Sequence, residues 1–183
     1  MAVVDFFLMP NGIKGESTDS QHSGAIELDS CYWGCTNTST VASSGTVGGG
    51  AGKVKAGDLH FRSKPSVASP LLFQYCANGT PIDKVMLYAR KQGGTQWDYL
   101  TITLENVYVS SHRIDLGFDV ELGAGGAEFS IEAGSEVSDN WVTWEYGSMS
   151  YGKLTFQYNQ QQVGGGQGAA TIKFFDFSTN KGG

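Results

Sequence analysis

The chain has 183 residues and carries 12 Lys and Arg against 18 Asp and Glu, which gives a net charge of −6. This length predicts one domain that is large enough to bury a core without disulfides or a structural metal. An acidic surface without a basic patch disfavours nucleic acid and anionic membranes as partners.

The first residues do not resemble a targeting signal. They lack a basic region, and their longest apolar run, Phe6 to Met9, has only four residues. We therefore expect no cleaved signal peptide and no membrane anchor. The three cysteines are predicted to be small buried side chains in a reducing compartment. Cys31 and Cys35 would lie about 13 Å apart on a strand, which is too far for a disulfide.

Most of the chain alternates between apolar and polar residues with a period of two, which predicts antiparallel strands with one covered face. The parity of the apolar residues switches within 26–35 and again within 104–109, so we expect a bulge or a change of the covered face at each place. Gly93 and Gly94 predict a hairpin turn before Trp97. The alternating runs are 26–35, 85–91, 100–109, 142–146 and 153–158.

One short helix is predicted at about 69–78. Ser69 is its predicted N-cap, Pro70 takes the first helical position, and Gly79 follows its last residue. The chain contains 26 Gly, whose clusters predict long loops between the strands. We therefore predict a mostly β fold in a single domain over 1–183, an antiparallel β-barrel or tight sandwich of two packed sheets with this helix on its flank.

No catalytic, cofactor or metal site is predicted. His22, His60 and His112 are far apart in the sequence, and none belongs to a spacing typical of zinc sites. No Gly-x-Ser-x-Gly nucleophile motif occurs. We interpret each histidine as an exposed or hydrogen-bonded structural residue, and we predict that the chain is not an enzyme.

Two glycine-rich stretches resemble nucleotide-binding loops but lack required features. The first, Gly45 to Lys53, has Val47 and Val54 where a Walker loop needs Gly and Ser or Thr, and no helical pattern follows it. The second, Gly164 to Ala169, matches a relaxed dinucleotide fingerprint but leads into a strand pattern, so we interpret it as a hairpin loop. Neither stretch is predicted to bind a nucleotide.

Several short motifs follow one another in a distinctive order: DFFL at 5–8, GIKGES at 12–17, WG at 33–34, DLHF at 58–61, SPLL at 69–72, ARK at 89–91 and YLTITL at 99–104. This order resembles that of the Hcp family, the haemolysin-coregulated proteins that form the tube of the bacterial type VI secretion system. The resemblance covers roughly 1–112 and 141–177. Met9-Pro10 departs from the family pattern, and Pro10 removes a hydrogen-bond donor at the end of the first strand.

The stretch between the two resembling parts is longer than is usual in the family. Its apolar residues alternate strictly, at Ile114, Leu116, Phe118, Val120 and Leu122. We predict an inserted hairpin or flap at about 113–140, with its turn at 123–126.

The resemblance implies a structural tube subunit of a type VI secretion system. Six copies would form a ring, the rings would stack into a hollow tube, and contraction of a surrounding sheath would expel the tube. The implied partners are other copies of the chain, the contractile sheath, the spike tip, the baseplate proteins and small effectors carried in the lumen, with no cofactor. The protein would assemble in the bacterial cytoplasm and then be secreted to the exterior or into a target cell.

The resemblance also suggests two contact regions. We interpret one loop as a contact between rings, because glycines let its backbone lie flat against a neighbour and Lys53 can meet an acidic partner. Tyr32, directly before Trp33, is the candidate for contact with cargo in the lumen. The residues of the loop are Gly48, Gly49, Gly50, Ala51, Gly52 and Lys53.

Two other classes of function stay open. An enzyme would use Asp115, Asp119 and Glu121 of the inserted stretch, but about 28 residues are too few to add a catalytic domain. A glycan- or protein-binding β-module without a secretion role would use exposed tryptophan rings, although half-buried core positions explain such rings as well. The candidate rings are Trp33, Trp97, Trp141 and Trp144.

Overall fold

The computed structural model describes residues 4–38, 53–91, 96–117, 142–161 and 166–183. Within these ranges the chain forms ten strands and one helix, so the mostly β prediction is confirmed. The elements in chain order are β1 (Val4–Pro10), β2 (Ile26–Tyr32), β3 (Cys35–Asn37), β4 (Val54–Ala56), β5 (Leu59–Ser63), α1 (Ser69–Asn78), β6 (Ile82–Lys91), β7 (Trp97–Gly117), β8 (Val142–Gln161), β9 (Gln167–Asp176) and β10 (Lys181–Gly182).

Six of the strands close into an antiparallel barrel. The main sheet has the order β10-β9-β8-β5-β2-β1-β6-β7, and β8 also pairs with β7. This second pairing closes the circle, because residues 145–149 of β8 pair with β5 while β7 pairs along both halves of β8. Residues 153–161 of β8 pair with β9, so β9 and β10 extend the sheet beyond the barrel. The predicted barrel is therefore confirmed.

The barrel is filled by alternate residues of its strands. Each of these side chains is almost fully buried, and removing such a side chain from water contributes about 1.5–3 kcal/mol. Helix α1 adds Leu72, which is also fully buried. The inward side chains include Leu8, Ile26, Leu59, Val85, Leu87, Ile102, Leu104 and Met149.

The parity switch in β2 is a bulge. Leu28 pairs with Ser63, but Ser30 pairs with Arg62, so Asp29 is an extra residue on β2. Beyond the bulge the apolar residues therefore stand at positions of the opposite parity, as the sequence predicts.

The switch in β7 is a change of the covered face. Leu104 and Val107 are both buried although they are three residues apart. Asn106, between them, has a φ of +55°, in the left-handed region. The pairing of β7 with β8 keeps its register here, since Glu105 and Val107 pair with residues two apart on β8. Both predicted parity switches are therefore confirmed. The first is a bulge, and the second accompanies a residue in the left-handed conformation.

The helix begins where it is predicted, but its predicted cap is wrong. The N-cap position is Ala68, without a side-chain cap hydrogen bond. The hydroxyl of Ser69 instead accepts a hydrogen bond from the Ser66 N–H at 2.9 Å and donates one to Glu145 at 3.0 Å. The C-terminal prediction is confirmed, because Gly79 has a φ of +61° and its N–H bonds to the carbonyl of the last turn.

Two predicted hairpins are confirmed by strand pairing. Lys91 pairs with Trp97 across the turn between β6 and β7. Gln161 pairs with Gln167 across the second glycine-rich stretch, so a strand follows that stretch and no helix could receive a pyrophosphate there. No helix among the described residues is long and apolar enough to cross a membrane.

The predicted burial of the cysteines is only partly right. Cys31 and Cys76 are partly buried and pack against the core. Cys35 is exposed, because it lies on the short strand β3 outside the barrel. Burial raises the pKa of the Cys31 thiol to about 11, which keeps it protonated at neutral pH.

The long stretch between β7 and β8 is described only at its base. Residues 113–117 of β7 pair with residues 142–146 of β8, and only residues 142–144 of this part of β8 lie beyond its pairing with β5. Residues 118–141 lie outside the described residues. The inserted flap and the single-domain assignment stay predictions.

Candidate functional site

The described residues offer no metal centre. They contain no group of three or more His, Cys, Asp and Glu side chains placed to hold a metal ion. His22 lies with its Nε2 3.0 Å from Asp98 Oδ1, and its ring packs between Phe7 and Tyr88. This histidine is a hydrogen-bonded structural residue, as predicted.

His112 belongs to a buried polar cluster around Glu145. The Glu145 side chain is fully buried, and its Oε1 lies 2.6 Å from His112 Nε2. Its Oε2 accepts hydrogen bonds from Ser69 at 3.0 Å and from Ser63 at 3.3 Å. The four residues lie on β8, β7, α1 and β5, so one carboxylate ties four elements together.

This cluster has the residue types of a hydrolase triad without its arrangement. A nucleophilic serine must donate its hydrogen bond to the histidine that removes its proton. Here Ser69 and His112 both bond to Glu145, and Ser69 is only 6% exposed. The cluster therefore stabilises the fold and provides no activated nucleophile.

The predicted cargo residue Tyr32 lies at a groove on the outer face of the barrel. The groove crosses β2, β5, β8 and β7 and has a cavity volume of about 470 Å³. Two rows of paired residues run across all four strands here. All of their members except the buried Ser148 line the groove, together with Phe61 and Gly147. The first row is Tyr32, His60, Ser148 and Ser111, and the second is Ser30, Arg62, Tyr146 and Arg113.

Tyr32 is the most prominent side chain of this groove. It is 67% exposed. Its ring stacks on the His60 imidazole with centroids 4.6 Å apart and planes 10° apart. The third histidine thus has a ring partner, and the pair forms a flat platform that is open to solvent.

Two arginines of the groove are held by carboxylates. Arg62 Nε donates to Asp29 Oδ2 at 2.8 Å, and this hydrogen bond raises the pKa of Arg62. Arg113 Nε lies 2.8 Å from Asp115 Oδ1, and its guanidinium lies 4.4 Å from the centre of the Tyr146 ring. Each arginine is therefore held by one carboxylate, and each positive charge is compensated locally.

Lys64 continues the basic row beyond Arg62. Its Nζ lies 3.6 Å above the centre of the Trp144 ring, and the Arg62 guanidinium lies 4.4 Å from the same centre. Such cation–π contacts contribute about 0.5–1 kcal/mol each at exposed sites. Lys64 makes no ion pair with any described residue, so its charge, unlike those of Arg62 and Arg113, is not compensated by a carboxylate.

Sequence reasoning named Tyr32 but did not connect it with its neighbours in the groove. The signal was present in part, since His60 and Arg62 alternate on β5 and therefore share a face, and Lys64 follows directly after the strand. Their partners on β8 are more than 80 residues away in the chain, and only the strand pairing brings them together.

The predicted ring-contact loop leaves the barrel through a separate ribbon. Cys35 pairs with Ala56 and Asn37 with Val54, so β3 and β4 form a two-stranded sheet of their own. Lys53, directly before β4, is exposed. The rest of the predicted contact residues, 48–52, lie outside the described residues.

A glycan-binding module would need exposed tryptophan rings, but each described tryptophan packs against other residues of the fold. Trp97 is only 8% exposed. Trp33 packs against the core and contacts the Phe156 ring at 6.0 Å between centroids. Trp144 is covered by Arg62 and Lys64. Trp141 lies outside the described residues.

Comparison with known proteins agrees with this fold. Residues 7–163 match the family model described as type VI secretion system effector, Hcp. The chain is 30% identical over 172 residues to the protein hcp1 of Pseudomonas aeruginosa PAO1, a match that covers 93% of each chain. Two solved structures are similar over nearly the whole length. A type six secretion system protein has a TM-score of 0.79 at 25% identity and covers 99% of this chain and 100% of its own.

The second structure is Hcp1 from Salmonella typhimurium, with a TM-score of 0.72 at 27% identity, covering 100% of this chain and 99% of that protein. The sequence match and the barrel thus agree, and both extend over almost the full chain. The chain belongs to the Hcp family, the structural and secreted tube proteins of the type VI secretion system, and it is not an enzyme.

Proposed function

We propose that this chain is the repeating subunit of a secretion tube, in which six copies form a ring and rings stack. The observation that carries the proposal is the family match over residues 7–163 together with a fold that aligns with Hcp1 over 100% of the chain. The subunit would assemble in the bacterial cytoplasm inside a contractile sheath, on a baseplate and behind a spike tip. Contraction would then deliver it to the exterior or into a target cell.

An exposed apolar face on β9 supports self-association. Ile172 is 53% exposed and Phe174 is 42% exposed. They are two residues apart on one strand, so both side chains lie on the same face. A neighbouring copy that covered these residues would remove the patch from water, as closed ring symmetry requires of each subunit.

The two predicted contact regions take separate roles in this proposal. The loop Gly48, Gly49, Gly50, Ala51, Gly52 and Lys53 would contact the next ring. The groove at Tyr32 would face the lumen, where small effectors travel. The exposed position of Lys53 and the open stacked ring of Tyr32 support these roles.

Light scattering and negative-stain microscopy of the purified protein test the proposal. We expect a particle of six subunits and ring-shaped class averages, with stacked rings at higher concentration. Phe174→Glu should dissociate the rings, because it places a charge in the covered face. Thr171→Glu adds the same charge on the opposite face of β9 and serves as the matched control. A protein that stays monomeric at every concentration would contradict the proposal and favour a monomeric binding module.

A further inference from the structure

The chain contains two Asn-Gly pairs, Asn11-Gly12 and Asn78-Gly79. Asparagine is one of the thermolabile residues of proteins, because the backbone nitrogen of the next residue can attack its side-chain carbonyl carbon. Glycine obstructs this attack least, since it has no Cβ. Each pair is therefore a candidate site for spontaneous loss of the side-chain amide.

The two pairs cannot be distinguished by exposure or by the conformation of the glycine. All four residues are exposed. Gly12 has a φ of +83° and Gly79 has a φ of +61°, both in the left-handed region. The two pairs thus offer the same reacting groups with the same access to water.

They differ in the hydrogen bond of the attacking nitrogen. The N–H of Gly79 donates to the Tyr75 carbonyl in the cap of α1. The N–H of Gly12 makes no hydrogen bond with any described residue. The Gly79 nitrogen must therefore leave the cap before it can attack Asn78, whereas the Gly12 nitrogen loses no hydrogen bond when it approaches Asn11.

The turn is held on both sides of this free nitrogen. Asn11 N–H donates to the Lys84 carbonyl at 2.9 Å, and Ile13 N–H donates to the Pro10 carbonyl at 3.2 Å. The reaction therefore needs only a local rotation of one exposed peptide group, and no unfolding of β1.

We propose that Asn11 is a deamidation site of the folded protein, while the cap of α1 protects Asn78. The Gly12 nitrogen bonds to Cγ of Asn11, its proton joins the departing NH₂ group, and ammonia leaves. Water then opens the resulting cyclic imide at one of its two carbonyl carbons. The product is aspartate or isoaspartate, and water is the only co-reactant.

The modification alters how the turn joins the core. Isoaspartate carries the main chain through its Cβ and lengthens it by one methylene group. Ile13, two residues further along the chain, is only 3% exposed and belongs to the core. Because a packed core tolerates little displacement, we expect isoaspartate at position 11 to lower the unfolding temperature.

Peptide mapping by mass spectrometry tests the inference. Trypsin places the two sites on separate peptides, 1–14 and 63–84, each with a single asparagine. The folded protein is incubated in mildly alkaline buffer, and the conversion of both peptides is followed over time. We expect Asn11 to react on the order of tenfold faster than Asn78, the factor to which one amide hydrogen bond corresponds. Equal rates, or a faster reaction at Asn78, would overturn the inference.

The unfolded chain is the matched control. In urea both the cap and the turn are lost, so the two sites should react at similar rates. A ratio that persists in urea would assign the difference to local sequence instead of the helix cap, and it would also overturn the inference.

Asn11→Gln tests the effect on the core. Attack on glutamine has to close a larger ring, which forms more slowly. After the same incubation the natural chain should unfold at a lower temperature than before, and the Asn11→Gln chain should not. An unchanged unfolding temperature of the incubated natural chain would remove the effect on the core.

Freshly prepared Asn11→Asp separates the added charge from the lengthened main chain. We expect it to unfold at the same temperature as the natural chain, and a lowered temperature would assign the effect to charge. None of these measurements requires ring assembly. The inference therefore goes beyond the proposed function, and the two stand or fall separately.

Discussion

The ring of Phe61 packs directly against the backbone of Gly147. A Cβ atom at position 147 would lie 2.2 Å from Phe61 Cζ, well inside van der Waals contact. The two residues face each other where β5 pairs with β8 in the barrel. Phe61 is only 4% exposed, so its ring is packed on nearly all sides.

Gly147→Ala should therefore destabilise the protein. We expect a loss of about 1–3 kcal/mol in the free energy of unfolding, because an overpacked core forces side chains or backbone to shift. Urea unfolding measures this loss. Gly34→Ala is the control, since no atom lies within 4 Å of a Cβ there. Phe61→Leu should restore part of the stability in the Gly147→Ala background, and an unchanged loss in that double variant would contradict the packing explanation.

The second prediction concerns the ion pair of Arg90 and Asp19. The Arg90 side chain is only 2% exposed, and its Nη1 donates to Asp19 Oδ1 at 3.0 Å. Asp19→Asn removes the carboxylate that hydrogen-bonds to this buried guanidinium, which should lower the free energy of unfolding by about 3–5 kcal/mol. Asp29→Asn breaks the exposed pair with Arg62 and should cost less than about 1 kcal/mol. Equal losses in the two variants, measured by urea unfolding at pH 7, would argue against burial as the cause.

Acid should weaken the fold through two carboxyl groups. The hydrogen bond from Arg90 holds the pKa of Asp19 well below its usual range, and donors from Ser178 and Thr179 lower the pKa of Asp176 to about 2. Both pKa values are lower in the folded than in the unfolded chain, where Asp has a pKa of about 3.9. Their stabilising contribution is therefore complete at neutral pH and decreases as the pH falls below about 4.

Urea unfolding at pH 7, 4 and 3 measures this decrease. The difference in unfolding free energy between the natural chain and Asp19→Asn should narrow at pH 3, because the unfolded natural chain then gains a proton that the folded chain resists. A difference that stays constant from pH 7 to pH 3 would refute the assigned role of Asp19.

The fourth prediction concerns Glu145, which joins four elements. Glu145→Gln replaces one acceptor oxygen by an NH₂ group that cannot accept from the serines or the histidine. We expect the free energy of unfolding to fall by about 2–3 kcal/mol, since buried hydrogen-bond donors lose their acceptor. Glu105→Gln is the matched control, because Glu105 pairs with Lys153 at the surface. Amide hydrogen exchange should become faster in α1, where Ser69 loses its acceptor. Unchanged exchange protection of α1 would contradict the role of Glu145 in holding the helix.

Much of the barrel could be predicted from local sequence. Alternation in 100–104 and 153–158 marks strands whose one face fills the core, and this pattern needs no knowledge of the neighbours. The cap at Ser69 could not be predicted in the same way. Its hydroxyl accepts a hydrogen bond from the Ser66 N–H and donates one to Glu145, 76 residues away, and no local pattern indicates the second partner.

The groove shows the same limit. Tyr32 was placed by its position next to a family motif, and it does lie on an open concave face. Its basic neighbours His60 and Arg62 could be predicted to share one face of β5, but not to share a surface with Tyr32. Their contact with Tyr32, Tyr146 and Trp144 depends on long-range strand pairing, which a single sequence does not encode in any short pattern.

The last prediction concerns the loop between β3 and β4. These strands pair with each other and not with the barrel, so the described base of the loop adds nothing to the buried core. Gly49→Trp or Gly50→Trp should therefore leave the unfolding temperature of the subunit unchanged. If the loop contacts the next ring, a bulky side chain there should hold the rings apart and shift micrographs from stacked to single rings. Gly49→Ala adds one methyl group at the same position and should still stack. Tubes of normal length in the Trp variants, or unfolding of the subunit itself, would each refute the contact role.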